Sequence, residues 1–441
     1  MSQNYIFGLI YWFYTQYNRS MNRATTALGR GVVTASALAS ALGVSRQTLM
    51  RLVREASPDV VAIGRARATR YGLRQIWPSL DGSRFPLFRV DRDGSAQADG
   101  HLFTLASQQT VWQPQGAVND GLPIEIADMR PSGFLGRLFA AGHRDLPVPL
   151  RVDDWSDHHV LIALSRRGED MPGNLLVGDE SFARWQAMEL SPQTRNDYPQ
   201  LATATLAGDP PGSSAGGERP KFGVFADGRH RLVKFAARAT GDAAATRWSD
   251  LLRLEALALT IGSAHGIPAS VSHAFETDAH VFLECERFDR IGARGRVAVI
   301  SLAAAHGNPT DSWARAASHL LDAGRLSSED ARRLRWLDAF GAMIANTDRH
   351  HFNIVFFPDG DRLRLAPAFD QASMLYAPSA DGQVLERPFP RPLATADTLD
   401  VWDDARAAAR EYWLRGTEDV RLSDDLRRIA AQNARLLQTE P

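Results

Sequence analysis

The sequence has one cysteine, two lysines and no long apolar run, and the first and last of these shortages each exclude a class of protein. Cys285 has no partner for a disulfide within the chain, which is typical of a reducing compartment. No segment reaches the roughly 18 apolar residues of a membrane-spanning helix. The most apolar stretch, residues 5–14, lacks the basic start and the cleavage site of a secretion signal. We therefore expect a cytoplasmic protein.

The chain also has no large net charge, because it contains 50 basic and 51 acidic residues. The balance hides a basic N-terminal region, since residues 1–75 carry ten arginines against Glu55 and Asp59. A polyanion is therefore expected to bind this region rather than the whole surface.

Within the basic region, the run TASALASALGVSRQTLMRLVREAS predicts a helix-turn-helix. Thr34 and Ser45 would cap the two helices, and Gly43 would separate them. Residues 60–74 then alternate and turn at Gly64, like the wing of a winged helix. The residues expected to meet DNA are Ser45, Arg46, Gln47, Arg51, Arg54, Arg65 and Arg67. A three-helix scaffold that binds no DNA is the alternative, and the local charge favours DNA binding.

The two lysines, Lys221 and Lys234, lie in strand-like runs that predict a hairpin turning at Asp227–Gly228. The helix that follows has Glu255 within its apolar stripe, and a buried carboxylate needs a cation. An arginine could supply that cation, and by comparison with protein kinases Lys234 is expected to supply it while also binding nucleotide phosphates. Before the hairpin, residues 207–217 are rich in Gly, Pro and Ser and predict a flexible loop.

The strongest chemical signal is ANTDRHHFN at residues 345–353, after an amphipathic helix. A hairpin over 353–366 would bring Asp370 back to Asp348 and Asn353. Two carboxylates and a carboxamide suit Mg²⁺ with nucleotide phosphates, and they leave Asp348 to orient or deprotonate a hydroxyl. The five-residue step from Asp348 to Asn353 matches the catalytic loop of protein kinases. A metal hydrolase built on Asp348, His350 and His351 is the chemical alternative, but it lacks a second cluster with metal-ligand spacing.

In order, five segments resemble motifs of the HipA family of serine/threonine kinases, and the resemblance spans about residues 80–430. They are SSAGGERPKFGVF, LVKF, FLECERFDR, NTDRHHFN and LAPAFDQAS. With a helix-turn-helix in front, the chain resembles the YjjJ-type branch. The resemblance implies an ATP- and Mg²⁺-dependent kinase, usually the toxin of a type II toxin–antitoxin system, that phosphorylates an aminoacyl-tRNA synthetase.

The resemblance also implies a role for each matched residue. Asp348 would be the catalytic Asp, His350 would brace its loop, and Asn353 and Asp370 would bind Mg²⁺. The residues implied to bind ATP are Lys234, Glu255, Gly216, Gly217, Lys221, Glu286 and Phe288, of which the last two would hold adenine through their backbone. Ser213 or the adjacent Ser214 would be autophosphorylated.

The predicted fold class is α+β, a two-lobed protein-kinase-like fold of the HipA type preceded by a small winged helix-turn-helix domain. The expected boundaries are an extension at 1–20, the winged helix at 21–80, a β-rich N-lobe at 81–290 and a helical C-lobe at 291–441. Expected partners are a protein substrate and DNA, and an antitoxin and a homodimer stay open.

Two other functions stay open as well. One is a DNA-binding regulator whose kinase-like domain senses a nucleotide or a partner. The other is a small-molecule kinase that resembles aminoglycoside phosphotransferases, although it would share neither the SSAGG loop nor the FLECERFDR segment.

Overall fold

The computed structural model describes residues 23–208, 219–239 and 241–438. The predicted extension 1–20, the loop residues Ser213, Ser214, Gly216 and Gly217, and the side chain of Arg67 lie outside the described part. Across the described residues, no helix combines the length and the apolar character that crossing a membrane takes.

The first unit places two capped helices beside a small antiparallel sheet. Its elements are β1 (Val33–Thr34), α1 (Ala35–Leu42), α2 (Arg46–Glu55), β2 (Val60–Ile63) and β3 (Arg70–Leu73), and residues 23–28 are also helical. As predicted, the side-chain oxygens of Thr34 and Ser45 accept hydrogen bonds from N–H groups in the first turns of α1 and α2. Gly43 ends α1 with a φ of +67°, a left-handed conformation that glycine adopts without a steric cost. The strands pair in the order β1-β3-β2.

The second unit packs helices on a five-stranded antiparallel sheet with the order β7-β6-β5-β4-β8. The strands are β4 (Arg84–Val90), β5 (Ala96–Thr104), β6 (Gln109–Gln113), β7 (Ala117–Asp120) and β8 (Leu175–Val177). The helices are α3 (Ile124–Ala127), α4 (Gly133–Gly142), α5 (Asp157–Arg167) and α6 (Asp179–Ala187). Residues 160–164 of α5 are fully buried, because this helix packs among the others and against the sheet.

A separate four-stranded sheet follows, with the order β11-β12-β10-β9. Its strands are β9 (Lys221–Ala226), β10 (Arg229–Ala237), β11 (Ser272–Glu276) and β12 (His280–Glu286), with α7 (Tyr198–Gly208) before them and α8 (Ala243–Ala264) after β10. Asp227 and Gly228 have positive φ and form the two-residue turn that the sequence predicts. Residues 81–290, predicted as one β-rich lobe, therefore contain two sheets, and each sheet has its own apolar cluster.

The C-terminal part is mainly helical. Its strands are β13 (Arg290–Ile291), β14 (Gly295–Arg296), β15 (Ile300–Ser301), β16 (Val355–Asp359) and β17 (Arg362–Leu365). Its helices are α9 (Leu302–His306), α10 (Trp313–Asp322), α11 (Ser328–Met343), α12 (Trp402–Glu418) and α13 (Asp424–Leu436). The hairpin predicted over 353–366 is confirmed by β16 and β17. One apolar cluster joins α8 to α11 and α12, so the four-stranded sheet is fixed against the helices.

Candidate active site

A buried lysine on β10 pairs with a buried glutamate on α8. Lys234 is 4% exposed and Glu255 is 2% exposed, and 2.7 Å separates Lys234 Nζ from Glu255 Oε1. The pair forms because α8 packs across the sheet and turns this part of its apolar stripe toward β10. The ion pair that the sequence predicts is therefore present.

Asp370 contacts the same ammonium from the opposite side of the site. Its Oδ1 lies 2.5 Å from Lys234 Nζ, and its φ is +57°. Two hydrogen bonds place the segment before it, one from Ala368 N–H to the Pro268 carbonyl and one from Ser270 N–H to the Ala368 carbonyl. Lys234 thus lies between two carboxylates that are far apart in the sequence.

Electrostatics keep Lys234 and Asp370 ionised. Burial alone would lower the pKa of Lys234, but Asp370 and Glu255 outweigh it and raise that pKa above its ordinary value. Burial opposes ionisation of Asp370, yet Lys234 and Lys221 hold the pKa of Asp370 well below its ordinary range. Lys221 can act there because it is the cross-strand neighbour of Lys234 on β9.

The loop after α11 carries Asp348 and Asn353. The helix ends as Asn346 N–H donates to the Gly341 carbonyl, and the side-chain oxygen of Asn346 then accepts from Asp348 N–H at 3.0 Å. Asn353 Nδ2 donates to the Asp348 carbonyl at 2.8 Å. These contacts leave the Asp348 side chain 54% exposed, where it can meet a second reactant.

Arg349, which the sequence motif did not single out, fixes this loop to α11. Arg349 donates from Nε to Asp338 Oδ1 at 3.1 Å and from Nη1 to the Asn346 carbonyl. Gly341 makes room for it, since a Cβ at that position would lie 2.8 Å from Arg349 Cδ. A glycine inside an otherwise regular helix, one turn before the motif, was the available signal.

Both adjacent histidines contact parts of the site, and the bracing role predicted for His350 stays a prediction. His350 has a half-exposed side chain whose Nε2 is 3.9 Å from Asp348 Oδ1. His351 is 5% exposed, and its Nε2 hydrogen-bonds the Asp311 carbonyl at 2.8 Å. Adjacent histidines in a loop cannot be ranked from sequence, because their orientation depends on the helix packed beneath them.

Glu286 and Phe288, which are predicted to hold adenine, lie in a hinge where the four-stranded sheet meets the helical part. The N–H of Glu286 is used in a bond to the Val271 carbonyl, and its own carbonyl accepts from Ser270 Oγ, which leaves that oxygen one lone pair. The Phe288 ring lies 5.7 Å from the Phe369 ring, centroid to centroid. The two rings form an aromatic surface, and Phe369 immediately precedes Asp370 in the sequence. A flat base could pack against this surface.

The donor set fits Mg²⁺. Asp370 offers a carboxylate that stays ionised, and Asn353 has its Nδ2 engaged, so its side-chain oxygen is the atom left for a cation. Carboxylate and carboxamide oxygens are the ligands that Mg²⁺ takes beside phosphate oxygens.

In the first unit, six of the seven residues predicted to contact DNA have exposed side chains. The exposed ones are Ser45, Arg46, Gln47, Arg51, Arg54 and Arg65. On α2 the opposite face is buried through Leu49 and Leu52. Ser45 also caps α2, because its Oγ accepts from Thr48 N–H at 3.2 Å.

Known proteins match almost the whole chain. Residues 81–186 match the family described as YjjJ-like toxin, middle domain, and residues 213–436 match the HipA-like C-terminal domain. Toxin YjjJ of Escherichia coli (strain K12) is 33% identical over 442 residues, which cover 93% of this chain and 96% of that protein.

Solved structures are more distant in sequence. HipA of Shewanella oneidensis MR-1, solved with HipB and its operator DNA, gives a TM-score of 0.50 at 14% identity, over 80% of this chain and 95% of that chain. The Helicobacter pylori proinflammatory kinase CtkA gives 0.36 at 12% identity, over 51% and 88% of the two chains. The likeness to HipA confirms the predicted mixed helix-and-sheet fold, and the winged-helix assignment of the first unit stays a prediction.

Proposed function

Because the chain belongs to the YjjJ-like toxins, which carry a HipA-like C-terminal domain, we propose that it is an ATP-dependent serine/threonine protein kinase. Its substrate in this proposal is a protein of translation, such as an aminoacyl-tRNA synthetase. The observation that carries the proposal is the position of Lys234, 2.7 Å from Glu255 and 2.5 Å from Asp370. A strand lysine paired with a glutamate of the following helix, beside an aspartate that can bind Mg²⁺, is the arrangement that protein kinases use to hold nucleotide phosphates.

Each side chain has a distinct role in the proposed reaction. Lys234, fixed by Glu255, binds phosphate oxygens as a point charge, and Lys221 adds a second cation on the same sheet. Asp370 and Asn353 hold Mg²⁺, which when bound neutralises negative charge on the transferring phosphoryl group. Asp348 accepts or orients the proton of the substrate hydroxyl, because its carboxylate is the exposed one.

The loop around residues 207–217 completes the proposed site. Gly216 and Gly217 would cover the phosphates with backbone N–H groups, and autophosphorylation of Ser213 or Ser214 would switch the kinase off. Arg219, the first described residue after this loop, stacks on Trp248 with its guanidinium carbon 3.4 Å from the ring centroid. That contact places Arg219 beside α8.

The kinase proposal is tested by incubating purified protein with Mg²⁺ and labelled ATP and mapping phosphosites by mass spectrometry. Wild type is expected to label Ser213 or Ser214, and Asp348→Asn is expected to slow labelling by at least about 100-fold. Asp361→Asn, an exposed change on the β16–β17 turn, is the matched control and keeps the wild-type rate. Equal labelling by all three proteins would remove Asp348 from the mechanism. Nucleotide binding without labelling, in the protein and in added cell lysate, would favour the nucleotide-sensing regulator instead.

DNA binding by the first unit is a second proposed activity, and the exposed arginines of α2 support it. Bound DNA and HipB belong to the solved HipA complex; for this chain we propose an operator site and an antitoxin partner by analogy.

Arg46→Ala and Arg51→Ala should weaken operator binding and reduce its salt slope by about 1 each, if each contacts one phosphate. Arg184→Ala, on a helix of the second unit, is the control. Unchanged affinity in both α2 variants would contradict the assignment.

A further inference from the structure

Two histidines and an aspartate meet where α9 is joined to α10, apart from the residues of the candidate active site. Asp311 Oδ2 lies 2.7 Å from His306 Nε2 and 3.3 Å from His319 Nδ1. The three ligand atoms all lie within 4.8 Å of one another. Both imidazoles therefore approach a single carboxylate oxygen.

These spacings suit one transition-metal ion. With bonds of about 2.0–2.2 Å in a tetrahedral site, neighbouring ligand atoms are about 3.3–3.6 Å apart. The separation of Asp311 and His319 lies in that range, the 2.7 Å separation of Asp311 and His306 is shorter, and all three atoms lie within 4.8 Å of one another. Two imidazoles and one carboxylate also form a three-ligand zinc set that leaves a fourth position open.

Burial and outer contacts favour a fixed site with one open side. The side chains of His306 and Asp311 are 9% and 10% exposed, whereas that of His319 is 48% exposed and leaves access from solvent. Arg315 Nε lies 3.6 Å from the other carboxylate oxygen of Asp311, so a positive charge is close to that oxygen.

We propose that His306, Asp311 and His319 bind a divalent transition-metal ion, Zn²⁺ in the first place, with water as the fourth ligand. Imidazole nitrogen favours Zn²⁺ over Mg²⁺, which prefers oxygen ligands. The ion bound here is therefore chemically distinct from the Mg²⁺ proposed for Asn353 and Asp370.

The same segment supports the catalytic loop. The Asp311 carbonyl hydrogen-bonds His351 Nε2 at 2.8 Å, and Trp313 Nε1 donates to the His350 carbonyl at 3.2 Å. An ion that ties His306 and His319 to Asp311 would hold the end of α9 and the last turn of α10 together. It should thereby slow opening of residues 346–353, whether or not that loop transfers phosphate.

The test uses the full chain, treated with a chelator and dialysed, and titrated with Zn²⁺ and, as a spectroscopic substitute, Co²⁺. Wild type should bind one ion per chain, show the intense visible absorption of four-coordinate Co²⁺, and exchange its amides in 346–353 more slowly with Zn²⁺. His319→Ala, a change at a half-exposed position that should leave the fold intact, is expected to weaken binding by at least about 100-fold. His306→Gln is expected to do the same.

The matched control is His158→Ala, which breaks a histidine pair elsewhere whose ring centroids lie 4.0 Å apart. Loss of the ion in His319→Ala and its retention in His158→Ala would support the proposal. Equal binding by all variants, loss only in His158→Ala, or no binding by wild type would overturn it. In the last case the three side chains form a hydrogen-bonded cluster only. None of these readouts depends on kinase activity, so they separate this site from the proposed function.

Discussion

At the scale of single residues, the candidate site depends on a glycine that carries no reactive group. Gly341 lies in α11 against the side chain of Arg349, and Arg349 holds the loop by bonding Asp338 and the Asn346 carbonyl. A side chain at residue 341 would occupy the space of the arginine. The geometry of Asp348 is thus set partly by the absence of a side chain one turn earlier.

Gly341→Ala is therefore expected to slow phosphorylation, and to destabilise the protein by about 1–3 kcal/mol through overpacking. Its Cβ would meet Arg349 Cδ at 2.8 Å and Gln371 Oε1 at 3.6 Å. Urea unfolding and the labelling rate measure the two effects. Gly262→Ala is the helical control, because its Cβ would meet only Ile267 Cβ, at 3.9 Å. Similar behaviour of the two variants would contradict the role given to Arg349.

At the scale of elements, the turn between α1 and α2 sets the direction of the exposed arginines. Gly43 has a φ of +67°, and its N–H donates to the carbonyls at the end of α1. Ser45 then starts α2 as its cap. Leu38 and Leu49 bury the inner faces of the two helices in one cluster, so the outer face of α2 has a fixed orientation.

Gly43→Ala should destabilise the first unit by about 1 kcal/mol or more, because an alanine in the left-handed region is strained even with open space around it. Operator affinity should fall with it. Gly142→Ala, at the end of α4 and also in open space, has no positive φ and should not destabilise the protein. Thermal unfolding measures the stability of the two variants, and a DNA-binding titration measures their operator affinity. A Gly43→Ala variant as stable as the wild type would mean that a Cβ does not strain the turn.

At the scale of the whole molecule, buried ion pairs connect the five-stranded unit to the segment after the hinge. Asp289 accepts two bonds at 3.0 Å from Arg287, one at 2.6 Å from Arg290 and one at 3.1 Å from Gly173 N–H. Burial would raise the pKa of Asp289, but Arg287 and Arg290 outweigh it and hold this pKa well below its ordinary value. Asp289 thus holds Arg287 and Arg290 in place, and these arginines pair with Asp170 of the five-stranded unit at 3.2 and 3.0 Å. Asp289 itself meets that unit through the bond from Gly173 N–H.

The stability that Asp289 contributes should depend on pH in one direction. Because its pKa is lower in the folded state, the contribution is complete above the unfolded value of about 4 and is lost as the pH falls through the folded value. Asp289→Asn should cost about 3 kcal/mol at pH 7, since it leaves buried arginines short of a partner. The difference from wild type should shrink below about pH 4, as measured by urea unfolding across pH. Asp361→Asn is the exposed control, and a difference that stayed constant with pH would contradict the ionised state of Asp289.

The sequence by itself determined the elements whose cause is local. Caps at Thr34 and Ser45, the turn at Asp227–Gly228 and the hairpin after Asn353 follow from backbone preferences of a few adjacent residues. The need of Glu255 for a cation was also predictable, because a carboxylate within an apolar stripe requires one nearby. The choice of Lys234 over an arginine came from the comparison with protein kinases.

Only the tertiary structure decided which side chains meet across long separations. It placed Asp370 on Lys234, joined His351 to the Asp311 carbonyl, and gave Arg349 the space beside Gly341. It also divided the predicted β-rich lobe into two sheets and brought His306, Asp311 and His319 together. The reason is physical: local preferences fix the dihedral angles of an element, whereas these contacts depend on how whole elements pack, and packing sums small energies over many residues.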